Sequence, residues 1–298
     1  MEIQADMKVD SIDQKEKRSY MQLILKRFLK HKLAVVGVVA LSLIVIMAIF
    51  APLLAPYNPY EVTDTFEAKP SMEHWLGTDQ IGRDVLSRLI YASRVSIIVG
   101  IGAVSIYILI GTIVGAISGY FGGWIDMIIM RITDVFMSFP FFMIILVVVS
   151  IVGSSLTNII IILGILGWPP VARLVRGSIL SLKEQDYVKA GVALGYKTPR
   201  ILFSHLLPNA FAPILVNATF GMAGAIMTEA ALSFLGMGVQ APMASWGNML
   251  TASQSLTVLT DQPWLWLPPG IMILISILSI NFIGDGLRDA LDPKTLNK

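Results

Sequence analysis

The sequence predicts an all-α, polytopic membrane protein with six transmembrane helices, on three observations. Of its 298 residues, 55% are hydrophobic and only 14% charged, against about a quarter charged in an average soluble domain. Six apolar stretches are long enough for a bilayer core of about 30 Å, which takes roughly 20 helical residues at 1.5 Å each. Lysine and arginine gather in alternate connections between those stretches, as they do when basic segments stay in the cytoplasm.

Taken in chain order, residues 1–32 are polar and mixed in charge up to about Ser19, and read as a solvated cytoplasmic tail. The first transmembrane helix, residues 33–54, carries no charge. A basic leader of 32 residues and an apolar run of 22 predict an uncleaved anchor, since a secretory signal has an apolar region of only about 7 to 15. Residues 55–94 form an extracytoplasmic segment. Its Gly77 and Gly82 predict turns that carry Asp79, Arg83, Asp84 and Arg88 onto the outer face, where Asp84 and Arg88, four apart, suit an exposed pair.

A core of five further spans occupies residues 95–287. Val95 to Gly119 is the second span, with Gly111 and Gly115 at the four-residue spacing that lets helices approach closely. The uncharged stretch from Val135 to Ala172 is divided by Gly153, Ser154 and Ser155 into the third and fourth spans. Pro140 and the run Trp168-Pro169-Pro170 interrupt backbone ladders, which membranes tolerate beside protein or a cavity, so a pathway lined by these breaks is expected. The fifth span runs from Ala210 to about Gly236, interrupted only by Glu229, and the sixth from Leu265 to Ile283. Residues 288–298 are a short cytoplasmic tail. Trp246 and Trp264 flank the last outer loop and read as interfacial anchors.

Residues 1–32 carry eight basic side chains, Arg173 to Asn209 six, and the tail after Gly286 three; only four lie in residues 55–94 and none from Met237 to Trp264. Both termini are therefore expected in the cytoplasm. Inside the membrane an unpaired charge costs at least about 2.5 to 3.5 kcal/mol. Arg131 and Asp134, three apart, are expected to pair with each other near the cytoplasmic end of the third span. Glu229 has no such neighbour in its own span, so it must face the bundle, a partner subunit or a wet cavity; a proton relay is the minor alternative.

The longest cytoplasmic loop, residues 183–209, reads as helix, turn, helix. Tyr187, Ala190, Gly191 and Leu194 recur at i, i+3, i+4 and i+7 and predict one apolar face with two small members. Acidic Glu184 and Asp186 suit the first turn, and Gly195 suits a left-handed cap. Thr198 and Pro199 predict a second helix, N-capped by Thr198, which Pro208 ends or kinks. A helix lying on the headgroups is the plain alternative for the first of these.

The residues Asp186 to Gly195, followed at fixed spacing by His205-Leu206-Leu207-Pro208-Asn209, resemble the loop of binding-protein-dependent ABC importer permeases. That family's consensus has Glu-Ala-Ala, three residues, Gly, and Leu-Pro further on; here Lys189 replaces the usual Glu and Gly191 the usual Ala. Three other segments resemble the C-type subunit of the oligopeptide, dipeptide and nickel permeases. They are His74 to Asp79 with Gly82-Arg83-Asp84, Ser87-Arg88 and Arg94, where Ala92 replaces a common Gly; Ser233 to Gly236 with Ser245-Trp246-Gly247; and Gly284 to Pro293. The resemblance runs from about Leu33 to Pro293.

It implies a type I ABC importer permease (MetI-like) fold in the cell membrane. It also implies a coupling helix in which Tyr187, Lys189, Ala190, Gly191, Leu194, Gly195 and Pro208 take part, and extracytoplasmic contacts through Asp79, Arg83, Asp84 and Arg88. The implied partners are a homologous second permease, two ABC ATPase subunits that hold ATP and Mg, an extracytoplasmic solute-binding protein and a peptide substrate. Nickel or another small solute is the alternative cargo.

The chain itself carries no phosphate-cradling Gly-x-x-x-x-Gly-Lys-Ser/Thr loop, so no cofactor is expected in it and it is not expected to be an enzyme. His-Glu-x-x-His and Gly-x-Ser-x-Gly are likewise missing from the spans. With no cysteine and three scattered histidines, His31, His74 and His205, no metal site is predicted. A net charge of +2 without basic-aromatic stripes gives no expectation of nucleic acid. A self-powered channel or secondary transporter remains the rival reading, although internal repeats or midplane ionisable groups would then be usual, and only Glu229 qualifies.

Overall fold

In the computed structural model, residues 22–291 are described, and they contain helices and loops but no strand. The tail predicted up to about Ser19 and the end of the tail predicted from residue 288 lie outside them. Five helices are long and apolar enough to cross a membrane, or six if one bent pair counts as a single span.

Helix α1 (Lys32–Ile49) is N-capped by His31, whose Nδ1 accepts from the Ala34 N–H at 3.1 Å. A break at Phe50 separates it from the short helix Ala51–Leu54. One side packs on the last helix, α9 (Pro263–Leu291), where a Cβ on Gly37 would stand 2.6 Å from the Ser279 carbonyl oxygen. Lipid tails are as apolar as leucine, so backbone proximity through small residues holds such helices together.

Helix α2 (Val85–Phe121) begins ten residues before the predicted second span. Arg88 and Arg94 had shortened the apolar window, yet both lie inside the helix. Asp84 is its N-cap, accepting from the Ser87 N–H at 2.8 Å. The glycines of α2 do what their spacing predicts: Gly111 lies against Val171 and the Trp168 carbonyl, and Gly115 against Ala172 and Val175. These contacts seat α2 on α6 (Trp168–Lys183), which continues α5 (Leu156–Leu166) through Gly167.

The third span differs from its prediction. Helices α3 (Gly123–Ser138) and α4 (Phe141–Val152) meet at 85° around Phe139 and Pro140. A straight helix from Val135 would need Pro140 in its interior, where the ring clashes and the N–H is missing. The predicted division at Gly153 to Ser155 is present, with Gly153 at φ 90° and Ser155 capping α5. The fourth span, predicted to end at Ala172, runs on to Lys183, because Arg173 and Arg176 find carboxylates on α3.

Helix α7 (Asp186–Ala193) follows, then the turn Thr198–Ile201, a π-helical segment Leu202–Leu206 and α8 (Leu207–Phe234). Pro208 does not end a helix here. Widening Leu202–Leu206 to a π-helix accommodates the proline that an unbroken α-helical ladder would reject. The buried core runs through α2, α5, α6 and α8, with Val99, Ala103 and Tyr107 packed against Ile159, Leu163, Val171 and Val175. A second cluster sits at the end where α2 begins, built on Leu89, Ala92, Trp246 and Leu265.

Candidate functional site

The end of the bundle that carries α7 is built around a helix fastened on two sides. Gly195 adopts φ 78°, and the Tyr196 N–H donates to the Gly191 carbonyl at 3.0 Å, closing the C-terminal turn. Val188 is buried in the main cluster with Ile201 and Leu206. Gly191 also faces inward, where a Cβ would stand 3.2 Å from the Tyr196 ring. Tyr187, Ala190 and Leu194 are exposed, joined by Val192. The predicted apolar face is thus split: Gly191 belongs to the inner face, because Tyr196 folds back over it, and the other three members face outward. Lys189 and Glu184 make a 3.0 Å pair with both side chains exposed, a geometry that contributes little.

Beyond α7, the Tyr196 ring stacks on His205 with centroids 5.9 Å apart and planes at 15°, and the Arg200 guanidinium lies 4.0 Å from the Tyr196 centroid. Asn209 Nδ2 donates to the Tyr187 hydroxyl at 3.3 Å and to the His205 carbonyl at 2.6 Å. The N-cap of the turn before α8 is Lys197, not Thr198. Thr198 instead accepts from the Tyr120 hydroxyl at 3.3 Å, and Lys183 Nζ donates to the Tyr120 carbonyl at 2.7 Å. Helix α7 is therefore joined to α8 directly and, through Tyr120, its neighbours are joined to the end of α2.

Two ion pairs fix α3 to α6 near this end. Both Asp126 oxygens accept from Arg176, at 2.5 and 2.6 Å, and Ser118 of α2 donates to the same carboxylate. Asp134 accepts from Arg173 at 2.5 Å. This corrects the expected Arg131–Asp134 pair: Asp134 turns to the arginine of another helix, and Arg131 is exposed without an ion pair among the described residues.

Between the α3–α4 bend and α8 lies a cavity of about 530 Å³. Phe136, Phe139 and Phe141 line it at the bend, Pro169 and Pro170 on α6, and Gly221, Gly224 and Thr228 on α8. Of the interruptions expected to border a pathway, Pro169 and Pro170 line this cavity, while Pro140 is represented there only by its neighbours Phe139 and Phe141. The glycines of α8 were missed, although Gly221, Gly224 and Thr228 form a small-residue stripe at i, i+3 and i+7. A Cβ at Gly221 would overlap the Tyr107 hydroxyl, which also lines the cavity.

At the opposite end, residues 55–84 cap the bundle. Gly77 and Gly82 take φ 72° and 83°, so both predicted turns are present. Asp84 and Arg88 are not an exposed pair, since both are buried. Asp84 accepts from the Ser87 N–H and hydroxyl, at 2.8 and 2.7 Å, and stands 2.8 Å from His74 Nδ1. Arg88 turns to Asp79 and the Pro59 carbonyl. Only Asp79 and Arg83 of the four keep partial exposure; Asp84 organises the cap from within, and Arg88, although buried, borders a recess beside Asp79.

Trp246 is also no interfacial anchor: it is 0% exposed, with Nε1 donating to the Leu89 carbonyl at 3.3 Å. Trp264 packs over the Gly77 turn, a Cβ there standing 3.1 Å from its Nε1. Glu229 faces the bundle, wholly buried, with Oε1 accepting from Ser233 at 2.6 Å and Oε2 without a hydrogen-bond partner.

Comparison with known proteins places this architecture. Residues 111–297 match the family described as binding-protein-dependent transport system inner membrane component. Residues 19–70 match the N-terminal TM domain of oligopeptide transport permease C. The chain is 46% identical to the dipeptide transport system permease protein DppC of Alkalihalophilus pseudofirmus, over 90% of this chain and 88% of that one. It is 47% identical to the oligopeptide transport system permease protein OppC of Bacillus subtilis, over the same shares. For the OppC of Haemophilus influenzae the figures are 41%, 94% and 91%. With the family match spanning everything from the middle of α2 onward and these relatives aligned along nine-tenths of its length, the chain belongs to the family of binding-protein-dependent transport system inner membrane components.

Proposed function

We propose that the chain is one permease subunit of an ATP-driven, binding-protein-dependent importer of oligopeptides or dipeptides. In this reading it forms the translocation path with a homologous second permease. Two ABC ATPase subunits, which hold ATP and Mg, sit beneath the α7 end, and a solute-binding protein delivers cargo at the cap. Both termini then lie in the cytoplasm, as the lysine and arginine distribution favours.

The observation that carries this reading is α7. A helix that leaves Tyr187, Ala190 and Leu194 exposed while being fastened to α8 through Tyr196, His205 and Asn209 is suited to receive a push from a partner and pass it to a span. Peptide cargo is supported by the names of the relatives, which are dipeptide and oligopeptide permeases, and by the aromatic and aliphatic lining of the cavity, which suits varied side chains.

Ala190→Trp tests the proposal, because Ala190 is exposed and the change enlarges the docking face without touching the Tyr196 contact. The expected result, measured in proteoliposomes with all partner subunits, is an inserted and assembled permease that loses ATPase co-purification or ATP-driven peptide uptake. Normal values for both would overturn the assignment of α7. Gradient-driven uptake by the chain alone would instead establish the self-powered rival.

A further inference from the structure

At the cap end a recess of about 350 Å³ opens between the Asp79–Arg88 segment and the short helix Trp246–Leu250. Asp79, Arg83 and Arg88 line one part of it, and Val85, Met249 and Leu265 another. The charges do not balance, with two guanidinium groups facing one carboxylate. Asp79 is fully engaged: Oδ1 accepts from the Ile81 and Arg83 N–H groups at 3.1 and 2.9 Å, and Oδ2 accepts from Arg83 Nε at 2.8 Å and lies 3.6 Å from Arg88 Nε. Arg88 Nη1 donates to the Pro59 carbonyl at 3.3 Å. Asp84, the nearest other carboxylate in sequence, is occupied by His74 and Ser87.

Among the described residues, both terminal nitrogens of Arg83 and Nη2 of Arg88 are left without a hydrogen-bond acceptor. A guanidinium does not shed its proton, so a recess that sets two of them against one carboxylate is net positive and favours an anion, and the planar fork matches the two oxygens of a carboxylate. The volume lies at the lower end of ligand pockets, about 300 to 1,000 Å³, and exceeds what a lone carboxylate fills. Its apolar wall stands beside the guanidinium groups. Within a peptide, a carboxylate carried next to a side chain of any character is found at the C-terminal residue.

We infer that this recess binds the C-terminal residue of a short peptide, with the terminal carboxylate on Arg83 and Arg88 and the last side chain against Val85, Met249 and Leu265. The inference rests on the peptide-importer reading and adds to it a cargo site at the outer mouth, separate from the membrane cavity. An acidic side chain on a docked protein is the competing occupant, and a recess with its own apolar wall favours the free peptide end.

The test uses the assembled transporter in lipid nanodiscs without its binding protein, and calorimetric titration with trialanine and with trialanine C-terminal amide. Trialanine is expected to bind at least about tenfold more tightly than the amide, tenfold corresponding to about 1.4 kcal/mol. Arg83→Gln should erase the difference, and Arg83→Lys should restore part of it. Co-purification of partner subunits and the helical circular dichroism spectrum should match wild type in both variants, which separates a lost site from a misfolded cap. Equal binding of acid and amide, no binding of either, or an Arg83→Gln variant that still prefers the acid would overturn the site. ATP-driven peptide uptake by the wild-type transporter separates the two failures. With uptake present, a negative titration removes only the recess; with uptake absent across peptides, the importer reading falls as well.

Discussion

Glu229 is held directly by one serine, and a second serine reaches that one. Ser233 donates to it from the same helix, and Ser245, 3.5 Å from Ser233, comes from the loop beyond. Removing the carboxylate leaves a buried hole and unmatched hydroxyls, so Glu229→Ala should lower the stability of the solubilised protein by about 1 to 3 kcal/mol. Glu229→Gln, which keeps the shape and an acceptor, should fall within about 1 kcal/mol of wild type. Thermal unfolding in detergent distinguishes the two, and equal losses would mean that charge, not packing, is what the site needs. That Glu229 must find company was legible, because an intramembrane carboxylate without a local partner has few options. Its actual company was not, since Ser245 is brought alongside only when the outer loop folds back onto α8. The same limit explains Asp134: periodicity ranks neighbours on one helix, whereas Arg173 arrives from another.

At the scale of elements, turns signalled by glycine were readable and the orientation of faces was not. Gly195 takes the left-handed conformation that a β-branched residue resists. Gly195→Val should therefore cost about 1 kcal/mol or more locally, visible as faster amide exchange in α7 with the spans unaffected. The split of α7 depended on Tyr196, which lies outside the helix and decides by stacking on His205 that Gly191 points inward. Tyr196→Ala should leave the exposed face intact while loosening α7 from α8. The expected outcome is ATP hydrolysis that persists while peptide uptake falls severalfold, measured in the same proteoliposomes. Uptake equal to wild type would show that the stack carries no force. Trp246 was misread for a related reason: its sequence position beside an outer loop suggested the interface, but the loop carries it into the second cluster.

Across the whole molecule, six spans and a loop between the fourth and fifth were legible because apolar length and basic charge are properties of segments. The 85° bend was only half legible, for Pro140 marks the break but sets no angle. Two ion pairs tie α3 to α6, and of them Asp126–Arg176 is two-pronged and the better shielded. Exchanging the charges tests it: Asp126→Arg alone should abolish stable assembly or transport, and Asp126→Arg with Arg176→Asp should recover much of both. A double variant no better than the single would place the support elsewhere. Helix α2 has a wider consequence. Its 37 residues make a rod of about 55 Å at 1.5 Å per residue, reaching from the cap, where Asp84 starts it, to Tyr120 beside the α7 assembly. Tilting such a rod by about 10° around its middle swings its two tips by roughly 5 Å in opposite senses, about one helical turn. A tilt of α2 as one body would gear the two ends of the bundle together, so that a displacement at one mouth is reported at the other.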